Sequence, residues 1–291
     1  MRKKIMQLKG NLHTHTKRSD GNLEYGSVLE LYESRGYDFL AVTDHYIYNP
    51  SSKYKNMTVI SGVEYHTGKT VQEGIWHIVA LGMTKDPRLT NIPDLPSLET
   101  IIGSIRKCGA TVNLAHPAWS LERVSEIIKA RNLGIDCTEM YNSVSGIPFN
   151  NRGCSDKIID ALAVEGWYVP ILGVDDAHFY SGDECKTFTV VDAPNRSEEA
   201  ILKAIREGKS YASQGPEFSI EIDRDKVYVE CTPVERICFN TDTPYACDRV
   251  HIASNMKGAV YEIKPNDTYV RIDMVDKDGN FAWSRALPIK S

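Results

Sequence analysis

Asn11-Leu12-His13-Thr14-His15-Thr16-Lys17-Arg18-Ser19-Asp20-Gly21 decides how the rest of the chain is read. An apolar-flanked segment runs into two histidines one residue apart, and an aspartate-glycine pair follows. Alternate residues of a β-strand point to the same face. His13 and His15 are therefore placed to aim two imidazoles at one point where a strand ends. Imidazole and carboxylate suit zinc, manganese or iron. A His-x-His pair also occurs by chance on exposed strands, so its weight depends on what recurs downstream.

The same arrangement recurs. The first strand is expected near Met6–His13, followed by a helix over Leu23–Arg35 whose apolar positions Val28, Leu29, Leu31 and Tyr32 share one face and which Gly36 closes. Phe39–Val42 is a buried strand ending in Thr43-Asp44-His45, and Thr58–Val63 is another, ending in Glu64. Ile78–Leu81 follows. Thr111–Leu114 then ends in Ala115-His116-Pro117, Gly134–Thr138 in Glu139, and Tyr168–Val174 in Asp175-Asp176-Ala177-His178. Helical spacing predicts helices over Leu98–Lys107, Leu121–Ala130, Asp156–Val164 and Glu198–Glu207. Strands alternating with helices imply parallel βα units. Seven such strands, most with an ionisable residue just beyond the apolar run, point to a closed α/β barrel with its site at the strand C-termini. One link departs from this pattern. The twelve residues between Glu64 and His77 carry no helical period, which predicts a hairpin-like return bringing His77 beside Glu64.

After Gly215-Pro216 the texture changes. Phe218–Asp223, Lys226–Cys231, Arg236–Asn240, Ala259–Ile263 and Thr268–Val275 read as short strands, with turns at Asp223-Arg224-Asp225 and Asp278-Gly279-Asn280. The expected organisation is a distorted (β/α)7 barrel over residues 1–215, then a small antiparallel, β-sandwich-like domain over 216–291.

Composition bounds the possibilities. The chain has 291 residues, 42% hydrophobic and 25% charged, with a net charge of −5. That is ordinary soluble composition. It argues against a broad nucleic-acid surface, leaving a nucleotide only as a small substrate. An anionic substrate would then need local positive charge, which bound metal supplies. Seven cysteines, odd in number and without a Cys-x-x-Cys pair, read as reduced thiols. The basic start Met1–Lys4 has no apolar run behind it, and no stretch reaches membrane-spanning length. A cytoplasmic location without a membrane partner is expected; the oligomeric state is not legible.

His13, His15, Asp20, His45, Glu64, His77, His116, Asp176 and His178 are the candidate metal ligands. Taken singly, each reads as a histidine capped by a carbonyl or a loop carboxylate capping a helix. Together they require ionisable residues at six independent strand ends, and burying such a cluster without metal costs heavily in desolvation.

His13-Thr14-His15 with Ser19-Asp20-Gly21, Thr43-Asp44-His45, Gly62-Val63-Glu64, His77-Ile78-Val79, Ala115-His116-Pro117 and Asp176-Ala177-His178 resemble, in this order, the PHP (polymerase and histidinol phosphatase) family of metal-dependent phosphoesterases. The resemblance covers about residues 7–215. It implies the distorted seven-stranded barrel and two or three divalent ions. Carried over by motif, His13, His15, Glu64 and Asp176 would hold one ion, and Asp20, His45 and His178 a second. His77 and His116, with bridging Glu64, would hold a third. Two positions depart from the family pattern: Tyr46 after Asp44-His45, and Asp175 before Asp176. Both are expected to alter the substrate pocket without removing a ligand.

Beside the cluster, Asp44 is a candidate to orient a ligand imidazole or relay protons. His66, Glu139 and Asn142 are candidates to face the pocket, and Lys17, Arg18 and Arg152 to bind phosphate oxygens. Cys137 reads as core rather than nucleophile. The resemblance implies an enzyme that hydrolyses a phosphate monoester or related phosphoester of a small phosphorylated substrate. Its nucleophile would be a hydroxide bridging two ions, with Glu64, Asp176, His178 and Asp44 as the catalytic set. Two alternatives stay open: the same barrel acting on a non-phosphate bond, and a non-catalytic, metal-stabilised scaffold.

Overall fold

Strand pairing begins at β1 (Met6–Asn11), which runs parallel to β2 (Phe39–Ala41) through α1 (Tyr25–Ser34), a right-sized crossover for neighbouring parallel strands. These elements belong to a computed structural model that describes residues 5–70, 72–89, 95–245 and 247–289. The basic start Met1–Lys4 lies outside the described residues. The α1 helix buries Val28, Leu29 and Tyr32, and Gly36 behind it takes the left-handed conformation (φ 76°) that ends a helix at little steric cost. β3 (Ser52–Tyr54) folds back on the edge of β4 (Met57–Ile60), which lies parallel to β2.

At Ser61 the chain leaves one sheet for another. The Ser61 hydroxyl donates to the Met83 carbonyl at 3.0 Å, and its amide donates to Glu198 at 3.1 Å. The single strand expected over Thr58–Val63 is therefore two, and β5 (Gly62–Thr67) opens a five-stranded sheet. β5 and β6 (Trp76–Leu81) form the expected hairpin, with His66 opposite His77 and Glu64 opposite Val79. β7 (Thr111–Leu114) is antiparallel to β6, whereas β8 (Cys137–Asn142) and β9 (Ile171–Val174) continue in parallel. β8 starts later than expected because Gly134 still belongs to the preceding helix.

Helices cover this sheet. α2 (Leu98–Arg106), capped by the Ser97 hydroxyl accepting from the Thr100 amide, buries Ile101, Ile102 and Ile105. α3 (Pro117–Ser120) is one turn; α4 (Val124–Gly134) and α5 (Asp156–Val164) follow. Their apolar faces meet Val63, Ile78, Val112 and Leu114 in one buried cluster.

The larger sheet continues from β1 through β10 (Phe188–Ala193) and β11 (Ser210–Ser213), both in antiparallel pairing and flanking α6 (Glu198–Arg206). Neither strand is in the sequence reading. Leu8, Phe39 and Ile60 from this sheet, with Leu12 just beyond β1, meet Val79, Leu81, Leu172 and Val174 from the other, and α6 closes the cluster with Ile201, Leu202 and Ile205. The mixed α/β class is thus as expected, but backbone pairing runs in two sheets of twelve and five strands rather than one ring of seven. Between β9 and β10, the Thr189 hydroxyl spans the seam, accepting from the Gly173 amide at 3.0 Å and donating to its carbonyl at 2.9 Å.

Beyond Pro216 come β12 (Phe218–Asp223), β13 (Lys226–Asn240), β14 (Val250–Glu262), β15 (Tyr269–Val275), β16 (Phe281–Trp283) and β17 (Leu287–Pro288). Two expected strands fuse into β13, whose pairing slips between Glu230 and Arg236, around Pro233. β16 pairs with β11, so one sheet runs from the site-bearing half into the tail. Arg271 of β15, fully buried, binds Asp160 of α5 through two bonds of 2.7 and 3.0 Å and also contacts Asp273.

Candidate metal centre

The strand ends bring the nine candidate ligands together. Backbone bonds continue past β1: the Asp176 amide donates to the His13 carbonyl at 2.8 Å, and the His15 amide to the Ala177 carbonyl at 3.0 Å. His13, His15 and Asp176 therefore share one face. The Tyr46 amide donates to the Glu64 carbonyl at 2.9 Å, which docks His45 beside Glu64. His116 and Asp176 hold positive φ angles of 25° and 54°, unusual for residues with a Cβ. Strain of this kind persists only where surrounding contacts over-determine it. For His116 one such contact is its amide donating to Glu139 at 2.9 Å.

Three donor groups result. In the first, His13 Nε2 and His15 Nε2 each lie 3.0 Å from Glu64 Oε2 and 3.1 Å from Asp176 Oδ1. The second gathers Asp20, His45 and His178 with His15; His45 Nε2 and His178 Nε2 are each 3.6 Å from an Asp20 oxygen. In the third, His77 Nδ1 and His116 Nε2 stand 2.9 and 3.6 Å from Glu64 Oε1. Glu64 and His15 each belong to two groups.

These side chains fit metal ions. His13 Nε2, His15 Nε2, His45 Nδ1 and Asp176 Oδ1 are buried without a hydrogen-bond partner, although each stands within 3.4 Å of another candidate donor atom. Such orphaned atoms are costly unless something else satisfies them. Bonds of about 2.0–2.1 Å in a tetrahedral site place neighbouring donors roughly 3.3 Å apart, close to the spacing of the first group. The tautomers also suit. His13 Nδ1 is 2.8 Å from Glu139 Oε1 and His178 Nδ1 is 2.6 Å from the Asp176 carbonyl. Each ring is thus held through Nδ1, with Nε2 turned toward the cluster, the atom a metal would take.

The electrostatics call for positive charge. Burial lowers the basicity of His15, but contact with Asp176 and Glu64 outweighs it and raises its pKa to about 9. His13, His116 and His178 also rise against burial, each drawn up by the neighbouring carboxylates. Despite their own burial, Glu64 and Asp176 are held well below the usual carboxylate range by the surrounding histidines. His45 is the exception, lowered to about 4 by burial.

A cavity of about 320 Å³ opens over the cluster. His45, Glu64, His77, His116, Asp176 and His178 line its floor, while Trp119, Val144, Ser145, Phe149, Asn150 and Phe179 form the walls. The sequence reading did not single out these wall residues. Trp119 and Phe179 lie three and one residues beyond candidate ligands, which is the signal that could have found them; Phe149 has none.

Other expectations land elsewhere. Asp44 is buried beneath the His13–Asp20 loop and accepts from the Thr16 amide, the Ser19 hydroxyl and Asn49 at 2.7, 2.9 and 3.1 Å, so it braces that loop. Glu139 and Asn142 stand behind the cluster, not in the cavity: Asn142 Nδ2 bridges Glu139 and Asp176 at 2.9 and 3.1 Å. Asp175 faces away too, accepting from Asn11, Tyr32 and the amides of Cys185, Lys186 and Thr187. Tyr46 donates to the His66 carbonyl. Neither departure from the family pattern lines the cavity. His66 stacks on His77 at 5.5 Å. Lys17 pairs with Glu24, Arg18 lies over Tyr25 and bonds Asn49, and Arg152 reaches the Trp119 carbonyl. Cys137 is fully buried and its thiol pKa is pushed up by that burial.

No protein-family model matches the chain, and no curated protein matches it significantly. Among solved structures, the chain is similar over 97% of its length to 96% of a two-domain protein from Bacteroides vulgatus, described as containing a predicted PHP-like metal-dependent phosphoesterase. The TM-score is 0.58 at 15% identity, so the two share a fold. An amidohydrolase from Chromobacterium violaceum matches 60% of this chain and 89% of its own, with a TM-score of 0.46 at 15% identity. Among the described residues no helix is long and apolar enough to cross a membrane.

Proposed function

We propose that the chain is a PHP-type metal-dependent phosphoesterase that hydrolyses a phosphate monoester or related phosphoester of a small substrate. The observation that carries this reading is the set of three overlapping donor groups, joined through Glu64 and His15, at the floor of one open cavity. The fold shared with the two-domain PHP-like protein supports it. His13, His15, Glu64 and Asp176 would hold one ion; Asp20, His45 and His178 a second; His77 and His116, with Glu64, a third. Zinc, manganese and iron all suit this set of nitrogens and carboxylates. When bound, the ions supply Lewis-acid charge to the phosphoryl oxygens and acidify the attacking water.

The protein's own contribution is geometric and electrostatic. Glu64 presents Oε2 to the first group and Oε1 to the third, so one carboxylate couples the two. Asp176 adds a second anionic oxygen between His13 and His15. Glu139 keeps the His13 proton on Nδ1, and Asn142 ties Glu139 to Asp176 in fixed register. His178 holds its own proton against the Asp176 carbonyl and offers Nε2 beside Asp20. Asp44 acts through the loop, keeping Thr16 and Ser19 in place beneath His15.

Elemental analysis of the purified protein, followed by parallel panels of phosphoesters and amides with added manganese, iron or zinc, tests the reading. Two or three ions per chain with turnover of phosphoesters is the expected result. No stoichiometric metal, or turnover of amides alone, would overturn it.

A further inference from the structure

The cavity has two unlike halves, and the apolar half carries information about the leaving group. Phe149 and Phe179 stack with centroids 5.2 Å apart and planes 22° from parallel. Phe179 is 49% exposed although it follows directly on His178, whose ring is 6.4 Å away. Trp119, also in the wall, meets His116 and His77 in T-shaped contacts with ring centroids 5.0 and 5.6 Å apart. The aromatic surface is therefore continuous with the candidate ligands.

Charge is distributed as unevenly. Among the described residues that line the cavity, none is Lys or Arg. Of the expected phosphate binders, Arg152 is exposed and engaged with the Trp119 carbonyl, while Lys17 and Arg18 are held by Glu24 and Asn49. Within the cavity a group extending outward from the cluster thus meets the three aromatic rings beside Val144, Ser145 and Asn150, and no Lys or Arg among the described residues.

We infer that the substrate is an ester with a single phosphoryl group, whose leaving side carries a flat, uncharged aromatic ring seated against Phe149, Phe179 and Trp119. This rests on the phosphoesterase reading and specifies it. The phosphoryl end would lie on the histidine-carboxylate floor, where ions provide the positive charge. The ring end would displace water from the aromatic wall, adding apolar burial and ring-ring contact. A second anionic group at that end would be desolvated without a partner.

Binding of phosphonates to the manganese-loaded full-length protein, measured by calorimetry, tests this without turnover. Phenylphosphonate should bind roughly 2- to 13-fold more tightly than methylphosphonate from the usual worth of a stacked aromatic contact, and more once apolar burial is added. Phe149→Ala and Phe179→Ala should each shrink that ratio, with metal content and circular dichroism unchanged. A carboxylate added to the para position of phenylphosphonate should weaken binding. A wild-type ratio near one, a ratio that neither variant moves, or tighter binding of the carboxylated ligand would overturn the inference while leaving the phosphoesterase reading standing. Failure of both simple phosphonates to bind metal-loaded protein would sink the two together.

Discussion

His13 and Glu139 meet on the side of the imidazole away from the cluster, with Nδ1 and Oε1 2.8 Å apart and both residues fully buried. Glu139 also accepts from Asn113 at 3.0 Å, from the His116 amide at 2.9 Å and from Asn142 at 2.9 Å. One carboxylate thus orients two candidate ligands, the ring of His13 and the strained backbone of His116. Four donors converge on its two oxygens. An amide in its place must turn its NH₂ toward one pair of them.

Glu139→Gln should therefore weaken metal binding about 10–100-fold, the usual cost of losing a partner behind a ligand. Titration with manganese or zinc, read by calorimetry, measures it. The fold should survive, because the substitution preserves volume and the ring still has an acceptor available. Wild-type affinity in a folded Glu139→Gln protein would show that the carboxylate charge does not matter to the site.

Glu122 offers a stability effect outside the centre. Its side chain is buried, Oε1 has no hydrogen-bond partner, and burial followed by the nearby charge of Glu126 raises its pKa to about 7. The unfolded chain releases this proton near the ordinary carboxylate value, whereas the folded chain keeps it until about pH 7. Between those values the folded state binds more protons, so stability falls as pH rises and levels off above pH 7. Glu122→Gln should remove that slope and stabilise the protein at pH 8 by on the order of 1–3 kcal/mol, with little effect at pH 4. Urea unfolding at the two pH values checks this. Equal effects at both would refute it.

Arg271 joins the tail to the site-bearing half. The guanidinium is fully buried between Asp160 of α5 and Asp273 of its own strand. Arg271→Ala should cost about 3–5 kcal/mol, because it leaves Asp273 without its buried counter-charge and Asp160 with only the exposed Lys157 at 3.9 Å. Adding Asp160→Leu and Asp273→Leu should recover much of the loss if charge burial is the cause. A triple variant no more stable than Arg271→Ala would mean that packing dominates. Nearby, Trp283 of β16 stacks on Tyr141 of β8 at 5.2 Å, so this interface abuts the strand that carries Glu139.

The centre was legible in the sequence because every candidate ligand but Asp20 stands in, or within a few residues of, an apolar strand, so local pattern placed most of the side chains. What lay behind it was less so. Of the neighbouring carboxylates Asp175 and Asp176, only the second faces the cluster, and strand alternation cannot tell which of two successive residues turns inward when φ is positive at one of them. Glu139 lies 126 residues from His13, and no periodicity reports such a partnership. In the fold, Pro233 broke the reading of β13, yet a strand tolerates proline where its pairing slips. Ser61 gave no sign of a change of sheet, because its bonds go to Met83 and Glu198, far along the chain. The β10 and β11 strands are hard to read from sequence because their polar threonines and serines satisfy neighbouring strands internally, as Thr189 does at Gly173 and Ser210 at the Ile171 carbonyl.

The remaining prediction concerns the division of labour between Glu64 and His77. Glu64 Oε2 stands 3.0 Å from both His13 and His15, and Oε1 stands 2.9 Å from His77. Removing its charge disturbs the first and third donor groups at once, and leaves the mutual repulsion of neighbouring ions less compensated. His77 belongs to the third group alone. Glu64→Gln should therefore lower both metal stoichiometry and phosphoester turnover further than His77→Ala, which should lose one ion and retain measurable turnover. The comparison belongs at saturating metal, since weakened affinity by itself mimics a defect in turnover. Metal content by elemental analysis separates the two effects. Should His77→Ala prove as inactive as Glu64→Gln with its other ions in place, the third group takes a direct part in the reaction. Near-normal turnover and full metal content in Glu64→Gln would instead mean that Glu64 does not couple the groups, and the register that sets it beside His77 would be structural only.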